Sequence, residues 1–220
     1  YKSKFEVNIV EKTSEILNNS KIFNREEAEK TIAKKNINLM KNYSVVEIND
    51  EQILLSNNLN QVEKFPYFDV IWTAGIKPNL PEFNQQIQQI NNKILINNNL
   101  QLHDYPNIFV IGDISQVESN NSYPVTAQVA MQQGEHVALN LKLLINNEKL
   151  LPFKFNDNGE MMSLGIGEAS ISGLGLTFSG KLAYDLRRII YASKMPKIEK
   201  SLKSTTSWFL EKKSIFKGIL

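Results

Sequence analysis

The stretch that decides the fold is Ile108-Phe109-Val110-Ile111-Gly112-Asp113, followed across a polar loop by Thr126-Ala127-Gln128-Val129-Ala130-Met131-Gln132-Gln133-Gly134. An apolar run bounded by Gly-Asp predicts a buried strand entering a tight turn. Gly112 permits a close approach to the backbone. The Asp113 carboxylate can accept hydrogen bonds from sugar or ribityl hydroxyls. A turn with an Asp cap is the plainer reading of that pair taken alone. Thr126 is a good N-cap, so a helix is predicted from Ala127 to Leu144. The small residues at its start are not what an ordinary amphipathic helix requires. A helix N-terminus offers N–H groups to an electron-rich ring edge, and Gln128 and Gln132, four apart, share one face.

Upstream of this pair, Phe5 to Val10 predicts a strand that ends at Glu11. Asn24 is the expected N-cap of a helix over 25–35, with Glu26 and Glu27 in the first turn and Lys34 and Lys35 in the last. Ile37 to Met40 predicts a short strand, and Tyr43 to Ile48 with Gln52 to Ser56 predicts a hairpin across Asn49-Asp50. Phe68 to Thr73 predicts another buried strand, closing at Ala74-Gly75. That order suits half of a nucleotide-binding α/β domain with an inserted β-meander. Residues 76–107 are rich in Asn and Pro, with a short strand at Ile94 to Ile96. From Leu151 the texture changes to a turn at Asp157-Asn158-Gly159, an apolar run from Met161 to Ile166, and a helix from Lys181 to Ala192. Three regions are expected, 1–75, 76–150 and 151–220, the last an α+β membrane or dimer region.

Composition narrows the chemistry. The 220 residues carry a formal net charge of +2, so no global field argues for nucleic acid. There is no cysteine, which removes thiol chemistry, disulfides, iron–sulfur clusters and Cys-ligated zinc from this stretch. With two histidines, His103 and His136, no histidine-built metal site is expected. No apolar run reaches the roughly 18 residues of a membrane-spanning helix. The chain opens on Tyr1 without a leader-like segment, and is expected to begin inside a fold.

Two more positions stand out. Glu11 closes the first strand, where an acid can accept from adenosine ribose hydroxyls and repel a 2′-phosphate. A solvated loop charge is its plain alternative. Thr73-Ala74-Gly75 follows an apolar run, and its small residues would let a ring or diphosphate approach the backbone. A simple tight turn is the plain alternative there.

Glu11, Thr73-Ala74-Gly75, Ile108 to Asp113 and Ala127-Gln128-Val129-Ala130-Met131-Gln132 occur in one order with plausible gaps. Together they resemble the second half of the two-dinucleotide-binding flavoproteins, and within them the type II NAD(P)H:quinone oxidoreductases. The resemblance implies α/β architecture, the C-terminal part of a two-Rossmann-domain protein. It implies FAD contacts at Gly112, Asp113, Thr126, Ala127 and Gln128. It implies a quinone site at Gln128, Ala130 and Gln132, and NAD(P)H contacts at Glu11, Ala74 and Gly75. No side chain is singled out as a catalytic nucleophile, and none is required. The family's Gly-rich phosphate loops are not in the chain and would precede Tyr1. Gly159 to Gly165, Ala169 to Leu176, Leu186 to Tyr191 and Met195-Pro196 resemble the cyanobacterial and plastid branch, which implies plastoquinone- or phylloquinone-type acceptors.

The C-terminal twenty residues set Trp208, Phe209, Ile215, Phe216 and Ile219 largely along one helical stripe, with lysines around it. That pattern suits an interfacial helix on an anionic membrane. Packing within the protein or against a dimer partner is the alternative. The expected setting is peripheral, on a plastid membrane (thylakoid or plastoglobule) or a cyanobacterial one, as a homodimer that does not pump protons. A disulfide reductase of the same superfamily would need a His-rich C-terminal motif, and none follows Gly159. The different-class rival is a non-catalytic membrane-associated fragment or assembly module.

Overall fold

The computed structural model describes residues 6–118, 123–203 and 205–206. The chain divides into two compact units: residues up to Val70 with those from Asn158 onward, and Ile71 to Asp157.

The first unit opens with β1 (Asn8–Glu11), α1 (Ile22–Lys34) and β2 (Asn38–Lys41). β1 and β2 pair in parallel from Asn8 opposite Asn38 to Glu11 opposite Lys41, with α1 as the crossover. Parallel neighbours need such a crossover, and a helix is its usual form. The predicted cap of α1 is corrected. The helix begins at Ile22 with Lys21 outside it, and Asn24 lies within the first turn, wholly buried. The reason is a distant carboxylate: Glu160 accepts from the Lys21 backbone N–H at 2.9 Å and from Asn24 Nδ2 at 2.7 Å. Glu160 therefore occupies the N-terminal end of α1, where a negative charge is favoured.

β3 (Tyr43–Ile48), β4 (Gln52–Asn57) and β5 (Val62–Pro66) form an antiparallel meander in the order β3-β4-β5. Asn49 Oδ1 accepts from the N–H groups of Glu51 and Gln52 and shapes the first turn. The expected strand at Phe68 to Thr73 does not form. Phe68, Ile71 and Trp72 are 86%, 87% and 60% exposed. An apolar run becomes a strand only against a partner ladder, and no described strand pairs with it.

The second unit contains β6 (Gln89–Ile90), β7 (Lys93–Ile96), a 3₁₀ turn (Gly112–Ile114), β8 (Ser115–Val117) and α2 (Ala127–Ile145). β7 pairs with β6 antiparallel and with β8 in parallel. Ile94, Ile96, Leu100, Leu102, Val110, Val117 and Phe153 form its core. Truncating a residue such as Ile94 or Ile96 there would cost about 2–5 kcal/mol.

The run from Ile108 to Ile111 is corrected from a buried strand to an irregular segment. Phe109 makes a single antiparallel bridge to Gln101, Val110 is buried, and Ile108 and Ile111 remain partly exposed. Its backbone hydrogen bonds go to Leu100 and Leu102 of the hairpin arm and to the Tyr105 carbonyl in the turn.

β9 (Glu160–Gly165), β10 (Glu168–Gly173) and β11 (Leu176–Ser179) form an antiparallel sheet that returns the chain to the first unit. α3 (Gly180–Ser193) follows, and no strand forms at Phe153 to Phe155. No helix among the described residues is long and apolar enough to cross a membrane. The membrane-facing positions Trp208, Phe209, Ile215 and Phe216 lie outside the described residues.

Candidate functional site

The second unit holds a small cleft, open to solvent, between the 3₁₀ turn and the start of α2. Lys93, Gly112, Asp113, Ser115, Thr126 and Gln133 are among its walls. The sequence brought Gly112, Asp113 and Thr126 forward as candidates, and the fold sets all three around this one space.

Gly112 has φ +74°, a left-handed conformation that a side-chain-bearing residue adopts only under strain. It is held from both ends. Its N–H donates to Gln133 Oε1 at 2.7 Å, and its carbonyl accepts from Ser115 Oγ at 2.8 Å. A Cβ added at Gly112 would lie 3.7 Å from Ala130 Cβ, so the small residue at position 130 gives the turn its room. The Asp113 carboxylate is exposed and takes no hydrogen bond or ion pair from the described residues. It stands ready to accept from ligand hydroxyls.

α2 begins as expected. The Thr126 side chain accepts from the Val129 N–H at 3.3 Å, and Ala127 is the first helical residue. Gln132 is engaged: its Nε2 donates to the Asn156 carbonyl at 2.8 Å, and its Oε1 accepts from the Asn156 N–H at 2.9 Å. Gln128 lies one turn earlier and is partly buried.

The nucleotide-side candidates are placed differently. Glu11 belongs to the first unit, at the end of β1. Its Oε1 accepts from the Thr13 N–H at 2.9 Å and the Thr13 hydroxyl at 2.8 Å, and its Oε2 has no described partner. Ala74 and Gly75 are exposed; Gly75 has φ +91° and donates to the Thr73 carbonyl, a three-residue turn with open space around it.

Sequence reasoning missed Lys93 and Gln133. Lys93 opens β7 as a cation on the cleft wall, and it forms no ion pair with Asp113 or any other described residue. Gln133 is 2% exposed in the cleft floor. Only the helical period hinted at it: Val129 and Gln133 are four apart on the buried stripe of α2, one position off the Gln128 and Gln132 face.

Residues 2–134 match the family model described as pyridine nucleotide-disulphide oxidoreductase. The chain belongs to that family. Its members share a Rossmann-like α/β core, and in this chain the family's eponymous disulphide has no counterpart, because there is no cysteine. Among curated relatives, the chain is 35% identical over 150 residues to the alternative NAD(P)H-ubiquinone oxidoreductase C1, chloroplastic/mitochondrial, of Arabidopsis thaliana, covering 64% of this chain and 29% of the relative. It is 30% identical over 211 residues to the demethylphylloquinone reductase NdbB of Synechocystis, covering 92% of this chain and 50% of the relative. The chain thus spans half or less of the length of these relatives. Its fold is similar to that of NDH2 from Plasmodium falciparum, solved with NADH, with TM-score 0.81 at 14% identity, over 94% of this chain and 58% of that one. These relatives bear out the resemblance to the type II NAD(P)H:quinone oxidoreductases.

Proposed function

We propose that the chain is the C-terminal portion of a type II NAD(P)H:quinone oxidoreductase, with its cleft forming one edge of an FAD seat. The observation that carries this reading is the cleft itself. A carboxylate (Asp113) and an ammonium (Lys93), neither paired among the described residues, line the cleft with a positive-φ glycine beside the N-terminus of a helix. A carboxylate to accept from a polyol, a cation for phosphate and a glycine for close approach suit the ribityl-phosphate part of a flavin dinucleotide.

FAD, when bound, supplies the two-electron chemistry that links a nicotinamide donor to a quinone. The chain supplies position. Asp113 accepts from ribityl hydroxyls, Gly112 leaves room for them, and Thr126 with Ala127 presents the start of α2 to the flavin's carbonyl edge. Glu11 accepts from the NAD(P)H ribose through its unshared Oε2, and Ala74 with Gly75 lets the dinucleotide lie against the backbone. The quinone lies along Gln128, Ala130 and Gln132. It is of plastoquinone or phylloquinone type, and the setting is a peripheral plastid or cyanobacterial membrane. A phylloquinone-type acceptor is supported by the name of the cyanobacterial relative, a demethylphylloquinone reductase, while the plant relative is named for ubiquinone and for a chloroplast or mitochondrial setting. The C-terminal stripe of Trp208, Phe209, Ile215 and Phe216 is assigned to an anionic membrane surface, and the 151–220 region to homodimer formation.

Purified full-length protein should carry flavin absorbance that NAD(P)H bleaches and a quinone restores. Gln128→Ala combined with Gln132→Ala should slow quinone turnover more than bleaching by NAD(P)H. Wild-type quinone turnover in that double variant would refute the quinone-site assignment.

A further inference from the structure

Gln133 is one of the most enclosed polar side chains of the second unit, at 2% exposed. Its Oε1 accepts from the Gly112 N–H, which fixes the orientation of the carboxamide: the other orientation would set two donors against each other. The Nε2 therefore points away from Gly112 with two hydrogens to donate. No described residue accepts from it. Nor is it sealed off, since among the described residues the buried side-chain atoms without a partner are Asn24 Oδ1, Ser170 Oγ and Arg187 Nε. Gln133 is among the residues lining the cleft, and its Nε2 keeps some accessible surface. A donor that no protein group satisfies bonds water or an acceptor that enters the cleft.

We infer that Gln133 is a cofactor-contacting residue. Its Nε2 donates to an oxygen of the flavin cofactor's sugar-alcohol and phosphate arm, while its Oε1 holds the Gly112 turn. One side chain thus ties occupancy of the cleft to the backbone that carries Asp113. The inference rests on the FAD reading proposed above. It adds a donor to a cleft in which Asp113 accepts and Lys93 carries positive charge.

The experiment titrates FAD into full-length apoprotein of wild type, Gln133→Glu and Gln133→Leu, following flavin absorbance and fluorescence. Gln133→Glu keeps an oxygen for the Gly112 N–H and deletes the donor; Gln133→Leu deletes both. Near pH 8, Gln133→Glu should weaken FAD about tenfold or more, because an acceptor then faces an acceptor. As pH falls toward about 5 the carboxyl takes up a proton and regains a donor, so its affinity should recover, while wild type and Gln133→Leu stay level. Gln133→Glu binding FAD as wild type does at every pH overturns the inference. Because the new carboxylate also repels phosphate, its weakening counts for the inference only together with a Gln133 NH₂ signal that moves on adding FAD. That signal comes from ¹⁵N-glutamine NMR of the wild-type protein, which decides alone should the variant not fold. The Gln133 side-chain NH₂ signal, assigned by its loss in Gln133→Met, should move on adding FAD, and an unmoved signal overturns the inference. Wild-type protein that takes up no FAD overturns this inference and the FAD reading together. FAD uptake with a silent Gln133 overturns only this one.

Discussion

Gln132 and Asn156 exchange two hydrogen bonds, side-chain amide to backbone amide, closing a ring of the kind two strands would make. Two turns of α2 further on, Asn140 does the same with Leu151: Nδ2 donates to its carbonyl at 2.9 Å, and Oδ1 accepts from its N–H at 3.0 Å. Between them His136 Nε2 lies 2.8 Å from the Leu151 carbonyl and 3.2 Å from Asn140 Nδ2. Three residues spaced i, i+4 and i+8 thus grip the extended segment 151–156, whose backbone joins no sheet. Asn140 is wholly buried, whereas Asn156 is exposed to water. Asn140→Ala should therefore cost about 2–3 kcal/mol in urea unfolding, and Gln132→Leu about 0.5–1.5 kcal/mol. Equal costs would show that burial does not set the strength of this grip.

The Glu160 carboxylate at the start of α1 stands in for a local cap. Glu160→Ala should destabilise the protein by about 1–3 kcal/mol, because Asn24 and the Lys21 N–H lose their acceptor at a buried helix end. Glu160→Gln, which retains one acceptor oxygen, should cost less. Thermal unfolding followed by circular dichroism gives both values, and a harmless Glu160→Ala would remove the tertiary cap from the account.

At Gly112 the cost of a side chain lies in the backbone. A Cβ there meets Ala130 at an ordinary contact distance, while φ +74° disfavours any L side chain. Gly112→Ala should lose about 1 kcal/mol of stability, with a larger loss of FAD affinity as the turn relaxes. Ala130→Leu tests the space instead. By crowding the Gly112 turn it should lower FAD affinity and cost about 1–3 kcal/mol of stability, as measured by cofactor titration and urea melts.

On α1, the Lys30 ammonium donates to the Glu27 carboxylate at 2.7 Å and holds its pKa below the ordinary glutamate value. A carboxylate lowered on folding adds stability above its unfolded pKa of about 4.3, and that stability is lost as pH falls through the folded value. Glu27→Gln should therefore lower Tm slightly at neutral pH, with the difference from wild type vanishing in acid. A difference that persisted at low pH would show that the pair is not its source. High salt should shrink it as well.

Where signals are local, the sequence by itself determined the structure. The Thr126 cap and the helix behind it, the β3-β4 hairpin with its Asn49 turn, the crossover from β1 to β2 and the start of α3 near Gly180 all follow from residues within a few positions of one another. The Gly112, Asp113 and Thr126 part of the cleft was legible in the same way, from spacing and residue type. Tertiary structure alone decided where α1 begins, because its cap comes from Glu160, far along the chain. It left Phe68 to Trp72 without a strand, because a ladder needs a partner that no local pattern supplies. It also turned Gln133 toward Gly112 and Gln132 toward Asn156. Adjacent glutamines read alike in sequence, but neighbours on a helix point about 100° apart. What each then meets is set by whichever segment folds against that side.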